Sequence, residues 1–495
     1  MKSAPKNLGD KVSRGAGWMI LMRFAARGLG LISTVILARL LTPADFGIMA
    51  IAMSFIALMA LFFQFGFDII LIQKQDADAD DYNTAWTLML GFAILAGVVL
   101  ALSAEHIATL YGNPRLLPVL YWMSILFALT GGQNIGVVDF RKNLQWRREF
   151  LFATVPRFVG FAVTVPLAFL LRDYWALVFG TIALRLATNA MSYAMHPFRP
   201  RPSLASWRAL FHFSKWLVLR NALTFVNLRA PELIVGKLMS TTAAGFISLA
   251  KELPNTGVVE TVGTINRATY PGYAMIAHDL PRLRALYLKV LASVSLYVLP
   301  ASVGLAWLAD PVVPLFLGDQ WLPCIPLVQI MSLAGALMAL NSNTTYIFLA
   351  IGDARMPTLV SLIRILVLVP GLVIGALWGG LLGAAYGVLA AGIATNLTTT
   401  AIMRRRVGLG ASDFARIHKR PVLGTCCMVI AMGALDSGLP NLLGEHAALY
   451  LLASIALGAA TFAAVVALLW WSAGLEDGAE AKIVEQLRTL LARLR

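Results

Sequence analysis

The chain has 495 residues, of which 59% are hydrophobic and 13% are charged, and its mean hydropathy of +0.76 excludes a water-facing surface over most of the molecule. Lys and Arg number 40 against 25 Asp and Glu, a net charge of +15, yet no basic run is interleaved with surface aromatics, so the sequence argues against nucleic acid as a partner. Cys324, Cys426 and Cys427 lack the spacing of a disulfide framework or a zinc site.

Long apolar segments follow one another along the chain. A helix needs about 20 mostly apolar residues to cross about 30 Å of hydrocarbon, and by this measure we expect an all-α polytopic membrane protein with about 14 transmembrane helices. The first is expected to be a retained span and not a cleaved signal, because it is too long and carries Arg23 and Arg27. The predicted spans are 15–40, 46–72, 83–103, 117–138, 151–171, 174–195, 212–238, 242–263, 286–308, 325–350, 357–377, 381–402, 421–436 and 447–472.

Positive charge is distributed unevenly over the connections between these spans. If the N-terminus is cytoplasmic, Lys and Arg are concentrated in the inner connections, whereas the outer ones hold few. The cations in the outer connections are Arg39, Arg115, Arg172 and Lys237. This asymmetry predicts an even number of spans with both termini in the cytoplasm.

The two halves of the chain resemble each other. Shifting the sequence by 198 residues aligns 38–52 with 236–250 without a gap, and Gly47 falls on Gly245. Each segment joins the first and second spans of a six-span half, so we expect two pseudo-symmetric lobes related by an axis along the membrane normal, which is typical of transporters. The predicted regions are an N-lobe at 1–205, a C-lobe at 206–405, two C-terminal spans at 406–475 and a cytoplasmic amphipathic tail at 476–495.

Four segments resemble one known family. They are 35–52, 65–73 and 140–148 in the first half and 233–255 in the second. On these segments the chain is similar to the polysaccharide (O-antigen and exopolysaccharide) flippases of the multidrug/oligosaccharidyl-lipid/polysaccharide exporter superfamily. One departure concerns the seventh span, where the family commonly has an Asp before the Leu-Ile-Val-Gly segment and this chain has Pro231 followed by Glu232.

The resemblance implies a V-shaped, MATE-like architecture of two six-helix lobes plus two C-terminal helices in the bacterial inner membrane. It implies a flippase and not an enzyme. The implied cargo is an oligosaccharide repeat unit on undecaprenyl pyrophosphate, delivered for capsule, exopolysaccharide or O-antigen assembly. Further implied partners are membrane lipid and a polysaccharide polymerase with its chain-length machinery.

Cations within the predicted spans need an explanation of their own. Each costs about 2.5–3.5 kcal/mol at a helix centre, so we expect them to line water or to meet partners. Arg157 and Arg229 are expected to be paired or to reach the interface. The others are expected to form a cationic cavity, because guanidinium groups bind phosphate bidentately. The predicted substrate-binding residues are Arg23, Arg27, Arg185, Arg220, Arg229, Lys251 and Arg364.

Few carboxylates accompany these cations inside the spans. Asp68, Glu232 and Glu252 are the predicted sites for a coupling ion, with H⁺ or Na⁺ as the candidates. No other cofactor and no metal is expected. Outward movement of an anion from a negative interior is favourable by about 2.3 kcal/mol per charge per 100 mV, so membrane potential is a second candidate driving force.

Three other functions remain open at this point. A membrane glycosyltransferase would explain the Asp-x-Asp pairs at 76–81, although the topology predicts a solvated cytoplasmic loop there. A multidrug exporter would favour acids and aromatics for cationic drugs. A lipid II flippase would share the cationic cavity, and only the family segments argue against it.

Overall fold

A computed structural model of the chain describes residues 22, 27–61, 67–74, 76–207, 215–353, 355–438, 447–474 and 480, with the backbone alone at 69, 215–220, 411 and 438. Every regular element among them is a helix, which confirms the all-α prediction. The amphipathic tail predicted at 476–495 lies outside this set, apart from Glu480.

The chain divides into two compact units, Met1–Gly245 and Phe246–Arg495. The lobe boundaries that the repeat predicts, at 205 and 405, stay predictions. The helices of the first unit are α1 (27–40), α2 (Pro43–Ala60), α3 (Phe67–Gln73), α4 (Ala79–Leu110), α5 (Leu116–Gly131), α6 (Val138–Lys142), α7 (Trp146–Leu171), α8 (Trp175–Met195) and α9 (Lys215–Leu238).

The second unit begins within the next helix. Its helices are α10 (Thr241–Pro254), α11 (Glu260–Met275), α12 (Leu280–Trp307), α13 (Ala309–Val312), α14 (Ile325–Ala350), α15 (Arg355–Val407), α16 (Ala411–Gly438) and α17 (Ala447–Ser472). A π-helical turn, Asn255–Val259, joins α10 to α11. A second one, Val313–Leu317, follows α13.

Seven of the described helices are long and apolar enough to cross a membrane, and the bent pair Leu116–Gly131 and Ile135–Lys142 makes an eighth. The 53-residue α15 is two helices merged across a kink at Gly380. The bounds of α14 and α17 coincide with the predicted tenth and fourteenth spans. The chain is therefore a multi-pass membrane protein, and the count of 14 spans stays a prediction.

The start of α2 explains part of the first family segment. The Thr42 hydroxyl accepts a hydrogen bond from the Asp45 N–H at 3.3 Å, and the Asp45 carboxylate accepts one from the Thr42 N–H at 2.9 Å. Pro43 occupies the first helical position, where its missing N–H has no cost. Thr-Pro-Ala-Asp at this place is thus a helix start with a capping box.

The glycines aligned by the internal repeat meet each other. A Cβ on Gly47 would lie 1.7 Å from the carbonyl oxygen of Thr241, and one on Gly245 would lie 2.0 Å from that of Pro43. Pro43 and Thr241 are themselves counterparts in the repeat, so the contact is reciprocal. A twofold relation between the repeated segments produces such a pair of contacts.

A second glycine-rich contact folds α15 back on itself. Gly380 has φ 58° and ψ −142°, a conformation open to glycine. A Cβ on Gly383 would lie 2.1 Å from the Gly375 carbonyl oxygen, and one on Gly387 would lie 2.4 Å from that of Gly371. The small residues allow the two arms of α15 to approach backbone to backbone.

The predicted eighth span, 242–263, differs most from the structure. The helical path runs from Thr241 to Met275 and widens into the π-helical turn after Pro254. Pro254 has no N–H to donate and its ring crowds the carbonyl one turn earlier, so the regular hydrogen-bond ladder is interrupted there. Hydropathy alone contains no signal for such a turn.

Candidate functional site

Arg185 is at the centre of α8, ten residues from each end. At 1.5 Å per residue its Cα is about 15 Å from either end of the helix. The side chain is half-buried, and it has no hydrogen bond or ion pair with any residue that the structure describes. None of the described residues accepts a hydrogen bond from this guanidinium, whose planar fork of N–H donors suits an anion.

Polar neighbours share the face of α8 that carries Arg185. Thr181 and Asn189 are one turn away on either side, so the three side chains form a stripe along the helix. The Thr181 hydroxyl donates to the Leu177 carbonyl oxygen at 2.8 Å, and the Asn189 amide donates to the Leu129 carbonyl oxygen. This stripe was not predicted from the sequence, although polar residues at i, i+4 and i+8 inside an apolar span indicate a polar face on the helix.

Arg364, on α15 of the second unit, is another half-buried cation within a helix. Its Nη2 is 3.7 Å from the sulfur of Met338, at the middle of α14. Its Nε is enclosed and has no hydrogen-bond partner among the described residues. A thioether is a weak acceptor and cannot balance a positive charge. The guanidinium of Arg364 is thus buried without a counter-charge from the described part of the chain.

Arg229 and Glu232 flank Pro231 on α9, and the sequence suggested that they pair. The structure contains no ion pair between them. Glu232 is 1% exposed and has an interaction of its own, whereas Arg229 is half-buried without a hydrogen bond to any described residue. Arg229 therefore does not pair with Glu232, and the alternative that it reaches the membrane interface stays a prediction.

Lys251 and Glu252 lie at the end of α10, next to the π-helical turn. Glu252 is exposed and accepts a hydrogen bond from the Thr256 hydroxyl at 3.0 Å, and Lys251 is half-buried with a partner. The Tyr297 hydroxyl on α12 donates a hydrogen bond to the Gly257 carbonyl oxygen at 2.6 Å. A residue of α12 thus binds a carbonyl oxygen of the π-helical turn. Such π-helical turns occur frequently at functional sites.

Asp68 lies on the short helix α3 and not within α2, which ends at Ala60. Its carboxylate is 3.5 Å from the guanidinium of Arg141, and both side chains are about half exposed. Arg141 also contacts Glu149 at 2.7 Å. Asp68 therefore belongs to a network of connecting segments and is not an isolated acid within a span. Its proposed role in ion coupling is a prediction.

Two of the predicted residues fall outside the described side chains. Arg23 lies outside the described residues, and of Arg220 only the backbone within α9 is described. Arg27 is half-buried on α1 and has an interaction partner.

The acidic segment at 76–81 caps a helix. Asp78 accepts from the Asp81 N–H at 2.9 Å, and Asp81 accepts from the Asp78 N–H at 3.2 Å. Asp81 also receives the Lys74 ammonium at 2.5 Å, and this hydrogen bond raises the pKa of Lys74 above its usual value. These two carboxylates are occupied by the start of α4, so the geometry gives no support to a glycosyltransferase metal site.

The described residues thus separate two kinds of cation. Several near helix ends, among them Lys74, Arg141 and Arg284, meet carboxylates, whereas Arg185, Arg229 and Arg364 within helices meet none that is described. A guanidinium in a low-dielectric place, with donors free, attracts an anion that can accept several hydrogen bonds. A phosphate or pyrophosphate group has this chemistry.

The chain is similar to proteins of polysaccharide biosynthesis. The sequence profile of the polysaccharide biosynthesis protein family matches residues 36–326. The lipopolysaccharide biosynthesis protein WzxC of Escherichia coli K12 is 25% identical over 415 residues, which cover 82% of this chain and 83% of WzxC. The succinoglycan biosynthesis transport protein ExoT of Rhizobium meliloti is 23% identical over 466 residues, 92% of this chain and 93% of ExoT.

Solved structures share the fold. The lipid II flippase MurJ in an inward closed conformation has a TM-score of 0.74 at 17% identity, covering 92% of this chain and 99% of MurJ. An inward-facing MATE family transporter of the MOP superfamily has a TM-score of 0.60 at 14% identity, covering 78% and 98%. The profile matches more than half of the sequence, so the chain belongs to the polysaccharide biosynthesis protein family.

Proposed function

We propose that the protein is a flippase that moves an oligosaccharide repeat unit linked to undecaprenyl pyrophosphate from the cytoplasmic to the outer leaflet of a bacterial inner membrane. The product would feed capsule, exopolysaccharide or O-antigen assembly. Family membership supports the polysaccharide pathway, and the fold shared with MurJ supports movement of a lipid-linked cargo. The relatives WzxC and ExoT carry names from lipopolysaccharide and succinoglycan biosynthesis.

The observation that carries the proposal is the state of Arg364. Its Nη2 contacts the sulfur of Met338, and its enclosed Nε has no acceptor among the described residues. A buried and uncompensated charge lowers stability, so it persists where a ligand compensates it. The pyrophosphate of the cargo is such a ligand. Arg185, at mid-helix in the first unit, is by itself suited to an anionic group.

The cycle needs a driving force. A cargo that carries two negative charges gains about 4–5 kcal/mol on leaving a negative interior at 100 mV, from about 2.3 kcal/mol per charge. We also propose that H⁺ or Na⁺ resets the carrier at Glu232, Glu252 or Asp68. Glu232, at 1% exposure, is the first to test, because it is the most buried of the three carboxylates.

The proposal is tested by transport in liposomes. Purified protein is reconstituted with a fluorescent oligosaccharide on undecaprenyl pyrophosphate, and its protection from a membrane-impermeant quencher reports translocation. Arg185→Gln and Arg364→Gln are each expected to lower the rate about 10- to 100-fold, because a hydrogen bond to a charged group contributes about 1.5–3 kcal/mol.

Arg157→Gln is the matched control, since Arg157 also lies inside a predicted span but is exposed on α7. We expect a rate close to that of the wild type for this variant. Equal rates for all three variants and the wild type would contradict the assignment of the anion site. The removal of Arg23 and Arg27 together, as alanines, should also lower export while the protein stays in the membrane.

The same assay separates the alternatives. A lipid II flippase would move lipid II faster than the repeat unit, and a multidrug exporter would move cationic dyes and leave both lipids in place. A glycosyltransferase would release a longer glycan. In cells we expect the protein to act beside a polysaccharide polymerase and its chain-length machinery, with both termini in the cytoplasm.

A further inference from the structure

An apolar groove runs between α12 and α16 in the second unit. It has a volume of about 430 Å³ and is lined by Leu299, Val303, Val422, Thr425, Cys426, Val429 and Ile430. The one hydroxyl in this lining is satisfied, because Thr425 donates to the Pro421 carbonyl oxygen at 2.7 Å. Val422 is 43% exposed and Ile430 is 70% exposed, so the groove is open along its outer side. Its wall therefore offers hydrocarbon contacts and no free polar group from these residues.

A basic recess continues the groove at one end. This recess has a volume of about 560 Å³ and is lined by Ala415, Arg416, His418, Lys419 and Val422. Val422 lines both volumes, so they form one continuous surface. The segment 404–420 is predicted to be cytoplasmic by its content of Lys and Arg. The basic end is thus on the side where anionic lipid headgroups attract cations.

The cations of the recess differ from their neighbours. Arg284 contacts Asp413, and Arg420 lies 3.3 Å from Glu480. Arg416 and Lys419 are both exposed, and neither has an ion pair with any residue in the described part of the chain. Two of these four cations are therefore paired with carboxylates, and Arg416 and Lys419 are exposed without an ion pair among the described residues, although Arg416 helps to lower the pKa of Asp413.

The length of the apolar wall fits one leaflet. Val422 and Ile430 are eight residues apart on α16, which is about 12 Å at 1.5 Å per residue. Half of a hydrocarbon core of about 30 Å is about 15 Å. An acyl chain that enters beside Lys419 would lie against the wall over most of the depth of its leaflet.

We propose that the surface formed by α12 and α16 binds one anionic phospholipid of the cytoplasmic leaflet. The phosphate and headgroup contact Arg416 and Lys419, and an acyl chain occupies the groove from Val422 to Ile430. The site is separate from the arginines assigned to the cargo, and its occupancy is measured by binding and not by transport. A zwitterionic lipid has the same chains but lacks the net charge that the recess selects.

Native mass spectrometry of the full chain tests this proposal. The protein is stripped of lipid in detergent and titrated with phosphatidylglycerol or with phosphatidylcholine of the same chains. We expect one phosphatidylglycerol to bind more tightly than phosphatidylcholine. Arg416→Gln with Lys419→Gln should weaken phosphatidylglycerol about 10- to 30-fold, since each cation near the headgroup contributes roughly 1 kcal/mol, and 1.4 kcal/mol is tenfold.

Two further variants make the result specific. Arg404→Gln with Arg405→Gln removes two exposed cations that do not line the groove, and we expect it to leave phosphatidylglycerol binding unchanged. Cys426→Trp fills the groove and should weaken both lipids alike. Equal binding of the two lipids to the wild type, equal losses in the two arginine-containing double variants, or retention of undecaprenyl phosphate in place of phosphatidylglycerol would each overturn the proposal.

Discussion

Arg284, in the first turns of α12, contacts the carboxylate of Asp413, whereas Arg364, nine residues into α15, faces the thioether of Met338. Lys74 and Arg141, in the connecting segments of the first unit, follow the first pattern, with Asp81 and Glu149 at 2.5 and 2.7 Å. Arg185, like Arg364, meets no carboxylate among the described residues.

Both patterns arise from the same residue types in different surroundings. Near water, an ion pair contributes little stability and mainly fixes where segments meet. Inside the membrane, an arginine without a counter-charge lowers stability, so its presence indicates a role in binding. The position of a cation along its helix is thus more informative than its residue type.

A carboxylate placed beside Arg364 would remove the difference between the two patterns. In Met338→Glu the new side chain can reach the guanidinium, because the Met338 sulfur is already 3.7 Å from Nη2. We expect transport to fall about 10- to 100-fold, since a paired arginine no longer offers its charge to an anion. Met338→Gln is the matched control and should transport at a rate near that of the wild type. Unchanged transport by Met338→Glu would show that Arg364 does not meet the cargo.

Replacing Arg364 by an apolar residue would separate binding from stability. We expect Arg364→Met to raise the free energy of unfolding by about 2 kcal/mol, because a buried charge without a partner is removed. The same variant should lose transport. Thermal unfolding in detergent measures the first effect and the liposome assay the second. A loss of stability would mean that Arg364 has a structural partner, in contradiction to the proposed anion site.

The pair at the helix end should show a dependence on pH. The Gly410 N–H, at 2.8 Å, and Arg284 lower the pKa of Asp413 below its usual value. A lowered pKa adds stability above the unfolded-state pKa of 3.8, and this contribution is lost as the pH falls through the pKa of the folded state. We therefore expect Asp413→Asn to lower the Tm at pH 7 and the difference from the wild type to shrink as the pH falls below 3.8.

Asp319→Asn is the control for this last effect. Asp319 is exposed and has no ion pair among the described residues. The Tm of the Asp319→Asn variant should therefore equal that of the wild type at every pH. A constant difference between Asp413→Asn and the wild type from pH 7 to pH 3 would exclude the carboxylate charge as the cause.

Several features of the fold could be predicted because they depend on neighbouring residues. The ends of α14 and α17 follow from local hydropathy, and the start of α2 follows from Thr42 and Asp45. Close packing of the glycines at Gly383 and Gly387 depends on the facing arm of α15, whereas a Cβ on Gly379 would have nothing within 4 Å. Gly379 adjoins the kink at Gly380, where the two arms of α15 diverge.

The candidate site was less accessible to prediction. The positions of Arg185 and Arg364 within predicted spans could be read from the sequence, but the residues around their side chains could not. Asp68 looked like an intramembrane acid, because nothing near it in sequence shows that Arg141, 73 residues later, approaches its carboxylate. Arg229 looked paired because Glu232 is close in sequence, yet their side chains do not meet.

The sequence by itself determined that this protein is a multi-pass membrane protein, where α14 and α17 begin and end, and to which family it belongs. These properties depend on hydropathy, short-range hydrogen bonds and residue identity, all of which act over a few positions. The tertiary structure alone decided which arginines meet a carboxylate, how Gly47 and Gly245 come together and where a groove opens beside Arg416. Those outcomes depend on packing between segments far apart in the chain, and local patterns do not encode such distances.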